Sequence, residues 1–181
     1  MKEAICMAKH RKMLGKADDP QIIALMGMIE TQSRDTLAAW AADCSRTRYL
    51  PIYEKACPDD RRLHELLDAV AAHLQDSLKL SALKPLLRQG RAVAQELDTF
   101  PAAQAAARAI ATACAVSQTP TNALGFVFYG AAAIAYDQAG LSAPPATYDA
   151  LAAAEFDELV ASLRAVCVPE EPDPVNVNWN C

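Results

Sequence analysis

The fold is decided by residues 101–136, which read PAAQAAARAIATACAVSQTPTNALGFVFYGAAAIAY. Alanine has the highest helix propensity because its side chain loses no rotamer entropy, so the first half of this stretch predicts a helix over residues 100–117. We expect Asp98 or Thr99 to cap that helix and Pro101 to lie in its first turn. The Gln-Thr-Pro that follows predicts a turn, so the stretch as a whole indicates a helical hairpin.

The first helix of this hairpin carries one polar stripe. Gln104, Arg108 and Thr112 are spaced four residues apart and therefore lie on the same face. The other faces are almost entirely alanine, isoleucine, cysteine and valine, which predicts a helix that is packed on most sides. Arg108 then either faces solvent or pairs with a carboxylate, for which Asp43 and Asp137 are the candidates, because an unpaired buried charge is costly.

The second helix of the hairpin is apolar all round. We expect it to begin with Thr119 as cap and Pro120 at the first helical position, and to end before Gly140. Its apolar run, residues 123–136, would be about 21 Å long, short of the roughly 30 Å needed to cross a bilayer. A buried helix is therefore predicted. Its small residues would let a neighbouring element approach closely; they are Gly125, Gly130, Ala131, Ala132 and Ala133.

The remainder of the chain also has helical periodicity and has no strong β-strand pattern. The predicted fold class is all-α, a single-domain bundle of about seven or eight helices around the central hairpin. We expect an all-helical domain over residues 1–166 and an extended, acidic, proline-rich tail over residues 167–181. Further helices are predicted at 2–14, 61–75, 81–97 and 146–166. Two more are predicted to begin after the caps Asp19 and Ser33, and the second of these should be interrupted at Pro51.

The tail changes character after the last helix. Val175, Val177 and Trp179 alternate with asparagines, which is typical of an extended segment. Trp179 is a large apolar side chain that needs a packing surface. We favour packing on the chain's own bundle over docking on another chain, and both interpretations stay open at this point.

The composition excludes several functional classes. The formal net charge is −5 over 181 residues, and no lysine or arginine cluster is dense enough to follow a phosphate backbone, so nucleic acid is not an expected partner. The first apolar run is interrupted by Lys9, His10 and Arg11, which is unlike a signal peptide. No segment is long enough to span a membrane. We therefore expect a cytoplasmic protein that does not bind a membrane.

Neither a metal site nor a catalytic motif is predicted. Cys6 and His10 are four residues apart, but two ligands do not make a site. Asp60, His64 and Asp68 also share a helix face, which we interpret as a solvated charged surface with their basic neighbours. No phosphate-binding loop, dinucleotide-binding turn or nucleophile elbow occurs. The six cysteines have no Cys-x-x-Cys pair and are interpreted as reduced; they are Cys6, Cys44, Cys57, Cys114, Cys167 and Cys181.

Four stretches of the chain carry a family resemblance: LAAWAADC at 37–44, LPIYEKACPDDRR at 50–62, AAQAAARAIATA at 102–113 and ALGFVFYGAAAIA at 123–135. Together they resemble the all-helical immunity proteins of bacterial polymorphic toxin systems, in the family numbered fifth among them. The likeness extends over about residues 33–140. The positions that match and would be structural or partner-facing are Trp40, Ala41, Asp43, Leu50, Pro51, Asp60, Arg62, Arg108 and Tyr129. Cys114 and Asn122 depart from the family pattern, which favours histidines near the turn of the hairpin.

The resemblance implies a protein that neutralises a cognate toxin by binding it, with no catalysis and no cofactor of its own. A toxin is then the expected partner, and a homodimer is left open. The alternative is a helical bundle that binds a small molecule or a lipid in a cavity lined by Phe126, Phe128, Tyr129 and Tyr136. Tight packing of those rings in the core is favoured over such a cavity, and an enzyme with an unfamiliar site ranks last.

Overall fold

The structure is a computed structural model, and it describes residues 10–180. In this part of the chain eight α-helices follow one another and no β-strand occurs, which confirms the predicted all-α class. A π-helical turn at Ser45–Tyr49 and a short 3-10 turn at Ala115–Ser117 extend two of them. The helices are α1 (Pro20–Ile29), α2 (Arg34–Cys44), α3 (Leu50–Ala56), α4 (Arg62–Leu74), α5 (Leu80–Gln95), α6 (Pro101–Cys114), α7 (Asn122–Ala139) and α8 (Pro145–Val166).

Several predicted helix boundaries are confirmed. The carboxylate of Asp19 accepts a hydrogen bond from the Gln21 backbone N–H, so it caps α1. The Ser33 hydroxyl caps α2 in the same way. The interruption expected at Pro51 is the π-helical turn that separates α2 from α3. α7 ends at Ala139, before Gly140, whose φ is 67°.

Two predicted caps are wrong. The residue that precedes α6 is Phe100, whose side chain makes no capping bond, so neither Asp98 nor Thr99 fills this role. α7 begins at Asn122, two residues later than Pro120. The Asn122 backbone N–H bonds to the carbonyl of Thr119, three residues earlier, so the chain first makes a tight turn and becomes α-helical after it.

The predicted helix over residues 2–14 is also wrong where it can be compared, because residues 10–14 are not helical; residues 2–9 lie outside the described part of the chain. Backbone groups here bond to another helix instead. The Leu14 N–H donates to the carbonyl of Phe128, at 3.2 Å, and the Arg11 carbonyl accepts from the Tyr136 hydroxyl, at 2.6 Å. Gly15 follows with φ of 101°, a conformation that a side chain would strain.

Helix α6 lies at the centre of the bundle. It contacts α2, α3, α4, α5 and α7, and α7 in turn packs against α8. Alanine makes this possible, since a helix with short side chains can be approached closely by several neighbours. Its buried residues are Ala103, Ala105, Ala106, Ala107, Ala109, Ile110, Ala111, Ala113 and Cys114.

The tyrosine Tyr49 connects the π-helical turn to α7. Its ring lies against Gly130, where an added Cβ would come 2.8 Å from Tyr49 Cε1 and closer still to the hydroxyl. The small residue predicted to admit a neighbouring backbone therefore admits an aromatic ring. The ring is held in place because its hydroxyl donates a 2.8 Å hydrogen bond to the carboxylate of Glu155 on α8.

Glu155 is the one carboxylate of the described chain that is buried, with 2% of its surface exposed. Arg48, in the same turn as Tyr49, donates to both of its oxygens; the Nε–Oε1 distance is 2.9 Å. Burial and the neighbouring carboxylate raise the pKa of Tyr49, which keeps its hydroxyl a donor. The three side chains thus join the π-helical turn to α8 through one buried carboxylate.

The residues that follow α8 contact the start of α2. Glu171 accepts hydrogen bonds from the Ser33 N–H, at 2.6 Å, and from the hydroxyls of Ser33 and Thr36. The Val175 N–H donates to the Gln32 carbonyl, at 2.8 Å. Trp179 packs against the chain's own bundle, and its Nε1–H donates to Glu30. Of the two interpretations of Trp179, packing on its own chain is the one confirmed, whereas the extended form of the tail stays a prediction.

We expect Gly130→Ala to lower the free energy of unfolding by roughly 1–3 kcal/mol, because Tyr49 cannot move aside without giving up its bond to Glu155. The matched control is Gly27→Ala in α1, where an added Cβ meets nothing within 4 Å. That change should stabilise the protein by up to about 1 kcal/mol through helix propensity. Urea unfolding followed by circular dichroism measures both, and equal effects would contradict the close contact at Gly130.

We expect Arg48→Ala to lower the free energy of unfolding by about 3–5 kcal/mol, because it leaves a buried carboxylate without its cation. Arg46→Ala, two residues away, is the control. Arg46 pairs with Asp68 at 2.7 Å, but both side chains are substantially exposed, so its loss should cost less than about 1 kcal/mol. The same urea titration tests this pair, and comparable losses would show that the Glu155 bond adds little.

Candidate functional site: a basic cleft beside helix α6

A cleft of about 340 Å³ opens where α5, α6 and α7 meet the segment before α1. Helix α6 contributes Arg108 and Thr112 from its polar stripe, and α5 contributes the exposed residues Arg91 and Gln95. Within the described part of the chain the cleft is lined by Lys12, Arg91, Ala94, Gln95, Arg108, Ala111, Thr112 and Tyr129.

Three of these lining residues are cations, and none is a carboxylate. Among residues 10–180, Lys12, Arg91 and Arg108 make neither an ion pair nor a side-chain hydrogen bond. Four other arginines are each paired with a carboxylate of the same chain; they are Arg11, Arg46, Arg48 and Arg62. The cleft is therefore a local concentration of uncompensated positive charge on a protein whose net charge is −5.

Two of the family-matched positions, Arg108 and Tyr129, meet in this cleft. The stripe on α6 divides as it approaches α5: Gln104 donates to the Ala94 carbonyl at 2.9 Å, whereas Arg108 and Thr112 face the cleft. Neither carboxylate expected to pair with Arg108 does so. Asp137 binds Lys55 at 2.7 Å, and Asp43 is exposed on α2. The polar stripe of α6 lies toward α5, where Gln104 bonds to Ala94, and neither carboxylate is on that helix.

Trp40 is a core residue. Its indole Nε1–H donates to the Ser162 hydroxyl at 2.9 Å, and its ring makes an edge contact with Phe126. It therefore ties α2 to α7 and α8 and offers no surface to a partner. Asp43, one turn further along α2, is exposed and remains available on a different face from the cleft.

Asp60 and Arg62 form an ion-pair network that joins the start of α4 to the end of α5. Arg62 donates to Asp60 and to Glu96, with Nη2–O distances of 2.6 Å in both pairs. The bond from Arg62 holds the pKa of Asp60 well below its ordinary value. These two matched positions therefore have a structural role. The predicted charged face of α4 also reaches other elements, since His64 pairs with Glu54 and Asp68 with Arg46.

No metal site is found in residues 10–180, where no group of three or more His, Cys, Asp or Glu side chains is placed to hold an ion. Of Cys6 and His10, the pair that the sequence did not predict to be a metal site, Cys6 lies outside that range. The four described cysteines, Cys44, Cys57, Cys114 and Cys167, are free thiols. Burial raises the pKa of Cys114 to about 12, so it stays protonated and packs as a small apolar side chain.

The four aromatic residues of the ligand-cavity alternative do not face one space. Phe126 packs between Trp40 and Tyr49, and Phe128 packs on Phe156. Tyr129 lines the basic cleft. Tyr136 lines a separate cleft of about 320 Å³ beside the exposed ring of Phe100. No helix in the described part of the chain is both long and apolar enough to cross a membrane.

Lys12 and Arg91 were missed by reasoning from the sequence alone. The sequence did contain a signal for Arg91. Helices α5 and α6 are joined by a short loop and therefore run antiparallel. Arg91 and Gln95 are four residues apart on α5, and Arg108 and Thr112 are four residues apart on α6. Two such polar pairs on neighbouring helices predict a shared polar seam. Lys12 had no comparable signal, because its segment is held by long-range bonds to α7, from the Leu14 N–H to the Phe128 carbonyl and from the Tyr136 hydroxyl to the Arg11 carbonyl.

The chain is thus an all-α, multi-helix protein, and its candidate site is a basic cleft. Residues 27–162, about three quarters of the chain, match the family model described as "Imm-5 like putative immunity protein", and the chain belongs to that family. Searches of curated proteins and of solved structures found no match.

We expect Arg91→Gln to raise the free energy of unfolding by about 0.2–1 kcal/mol at low ionic strength, because it removes repulsion from the other two cations of the cleft. The gain should disappear near 1 M salt, where the Debye length falls to about 3 Å. Arg46→Gln is the control with the opposite sign, since it breaks an ion pair. Chemical unfolding at two salt concentrations measures both, and a destabilising Arg91→Gln would show that Arg91 has a favourable partner.

Proposed function

We propose that this protein is the immunity partner of a bacterial toxin, and that it neutralises the toxin by direct binding in the cytoplasm, without catalysis. The observation that carries the proposal is the family match over residues 27–162. Proteins of that family are described as immunity proteins, and protection by such a protein requires a surface that the toxin can occupy.

The basic cleft is the candidate for the centre of that surface. Arginine and tyrosine are enriched among the residues that dominate binding energy at protein interfaces, and Arg91, Arg108 and Tyr129 stand together here. A specific interface takes about 800 Å² from each partner, which is a small share of the 9885 Å² accessible surface of this protein.

Co-expression with the product of the adjacent reading frame tests the proposal. That product alone should arrest the growth of a bacterial host, and co-expression of this protein should restore growth. The two proteins should also elute together on size exclusion. Continued growth arrest together with separate elution would contradict the proposal.

A titration of the purified toxin separates binding from catalysis. If the protein acts by binding, toxin activity should fall linearly and vanish at equimolar amounts. An enzyme that inactivates the toxin would need only a small fraction of an equivalent. Inactivation at such low amounts would therefore overturn the non-catalytic part of the proposal.

A further inference from the structure

The lining of the basic cleft limits the chemistry of what it binds. We infer that it accepts the carboxylate side chain of an acidic segment on the partner protein, held between Arg91 and Arg108. The inference rests on the proposed function, because it specifies which part of the toxin is bound.

Electrostatics supports an anion. Three cations lie around one cleft of about 340 Å³ with no carboxylate among the described lining residues. Like charges repel, and this repulsion is relieved when an anion enters. Arg11, Arg46, Arg48 and Arg62 each pair with a carboxylate of the same chain, whereas no carboxylate lines this cleft among the described residues. An anionic group of a binding partner would therefore neutralise the cations of the cleft.

The other lining groups favour a carboxylate on a peptide. Arginine donates two parallel N–H bonds to a carboxylate, and Gln95 and Thr112 add further donors. Ala94, Ala111 and the Tyr129 ring provide apolar walls against which the methylene groups of a glutamate can lie. Three cations are too few to hold a nucleic acid against a net charge of −5, because such binding scales with the number of phosphates neutralised.

Fluorescence anisotropy with a fluorescein-labelled hexaglutamate peptide tests the inference on the full chain. The wild-type protein should bind the peptide, and more weakly as salt is raised. Arg91→Glu and Arg108→Glu should each weaken binding about tenfold to a hundredfold, the worth of one charge-assisted hydrogen bond. Arg164→Glu on α8 is the matched control: it changes the net charge equally, lies outside the cleft and should leave the affinity unchanged.

Thermal unfolding shows which variants are folded. Arg91 is exposed, so Arg91→Glu keeps the test valid if the half-buried Arg108→Glu fails to fold. Absence of peptide binding by the wild type would overturn the inference, as would equal weakening by Arg164→Glu. Displacement of the peptide by inorganic phosphate at equal concentration would also overturn it, by showing a site for free anions.

The toxin provides a second arm that separates the two proposals. Toxin binding that is lost in Arg91→Glu and kept in Arg164→Glu supports both. Toxin binding that survives Arg91→Glu overturns the inference and leaves the proposed function standing. Binding of hexaglutamate without binding of the toxin overturns the proposed function while the chemistry of the cleft stands.

Discussion

A helix can be packed against other helices on nearly every side only if its own side chains are short, and this constraint governs the structure. Helix α6 satisfies it with alanine at most positions, so that five other helices approach it. Larger side chains would force those helices apart, since cores tolerate extra volume poorly. Arg108 and Thr112 lie on a strip of α6 that stays half-buried, because polar groups are costly to bury fully without partners. The candidate site is therefore located by the same packing that makes the core.

Local signals in the sequence predicted the elements whose causes are local. Asp19 and Ser33 cap their helices through bonds that span two or three residues, and the effect of Pro51 also stays within one turn. The prediction failed where distant partners decide. The sequence predicted a helix that included residues 10–14, but Leu14 and Arg11 bond to α7, more than a hundred residues away.

The candidate site, like the fold, was predicted from the sequence only where local patterns determine it. The polar stripe of α6 was visible as a spacing of four, and Arg108 and Tyr129 were singled out by their match to the family. Whether Arg108 would be paired depended on the rotation of α6 relative to α5, α3 and α7, which no local pattern encodes. The buried bond between Glu155 and Tyr49 could not be predicted either, because a glutamate in an amphipathic helix is typical of an exposed face.

The contact between Glu171 and Ser33 has a bearing on biosynthesis. It joins residues 138 positions apart, so it can form only after Glu171 has been made. During synthesis the earlier helices can already collapse around the alanine core, since nascent chains fold from the N-terminal side. The Ser33 amide therefore gains its carboxylate partner only after Glu171 has been synthesised. Synthesis of Glu171 is thus the step that allows the segment after α8 to join the start of α2.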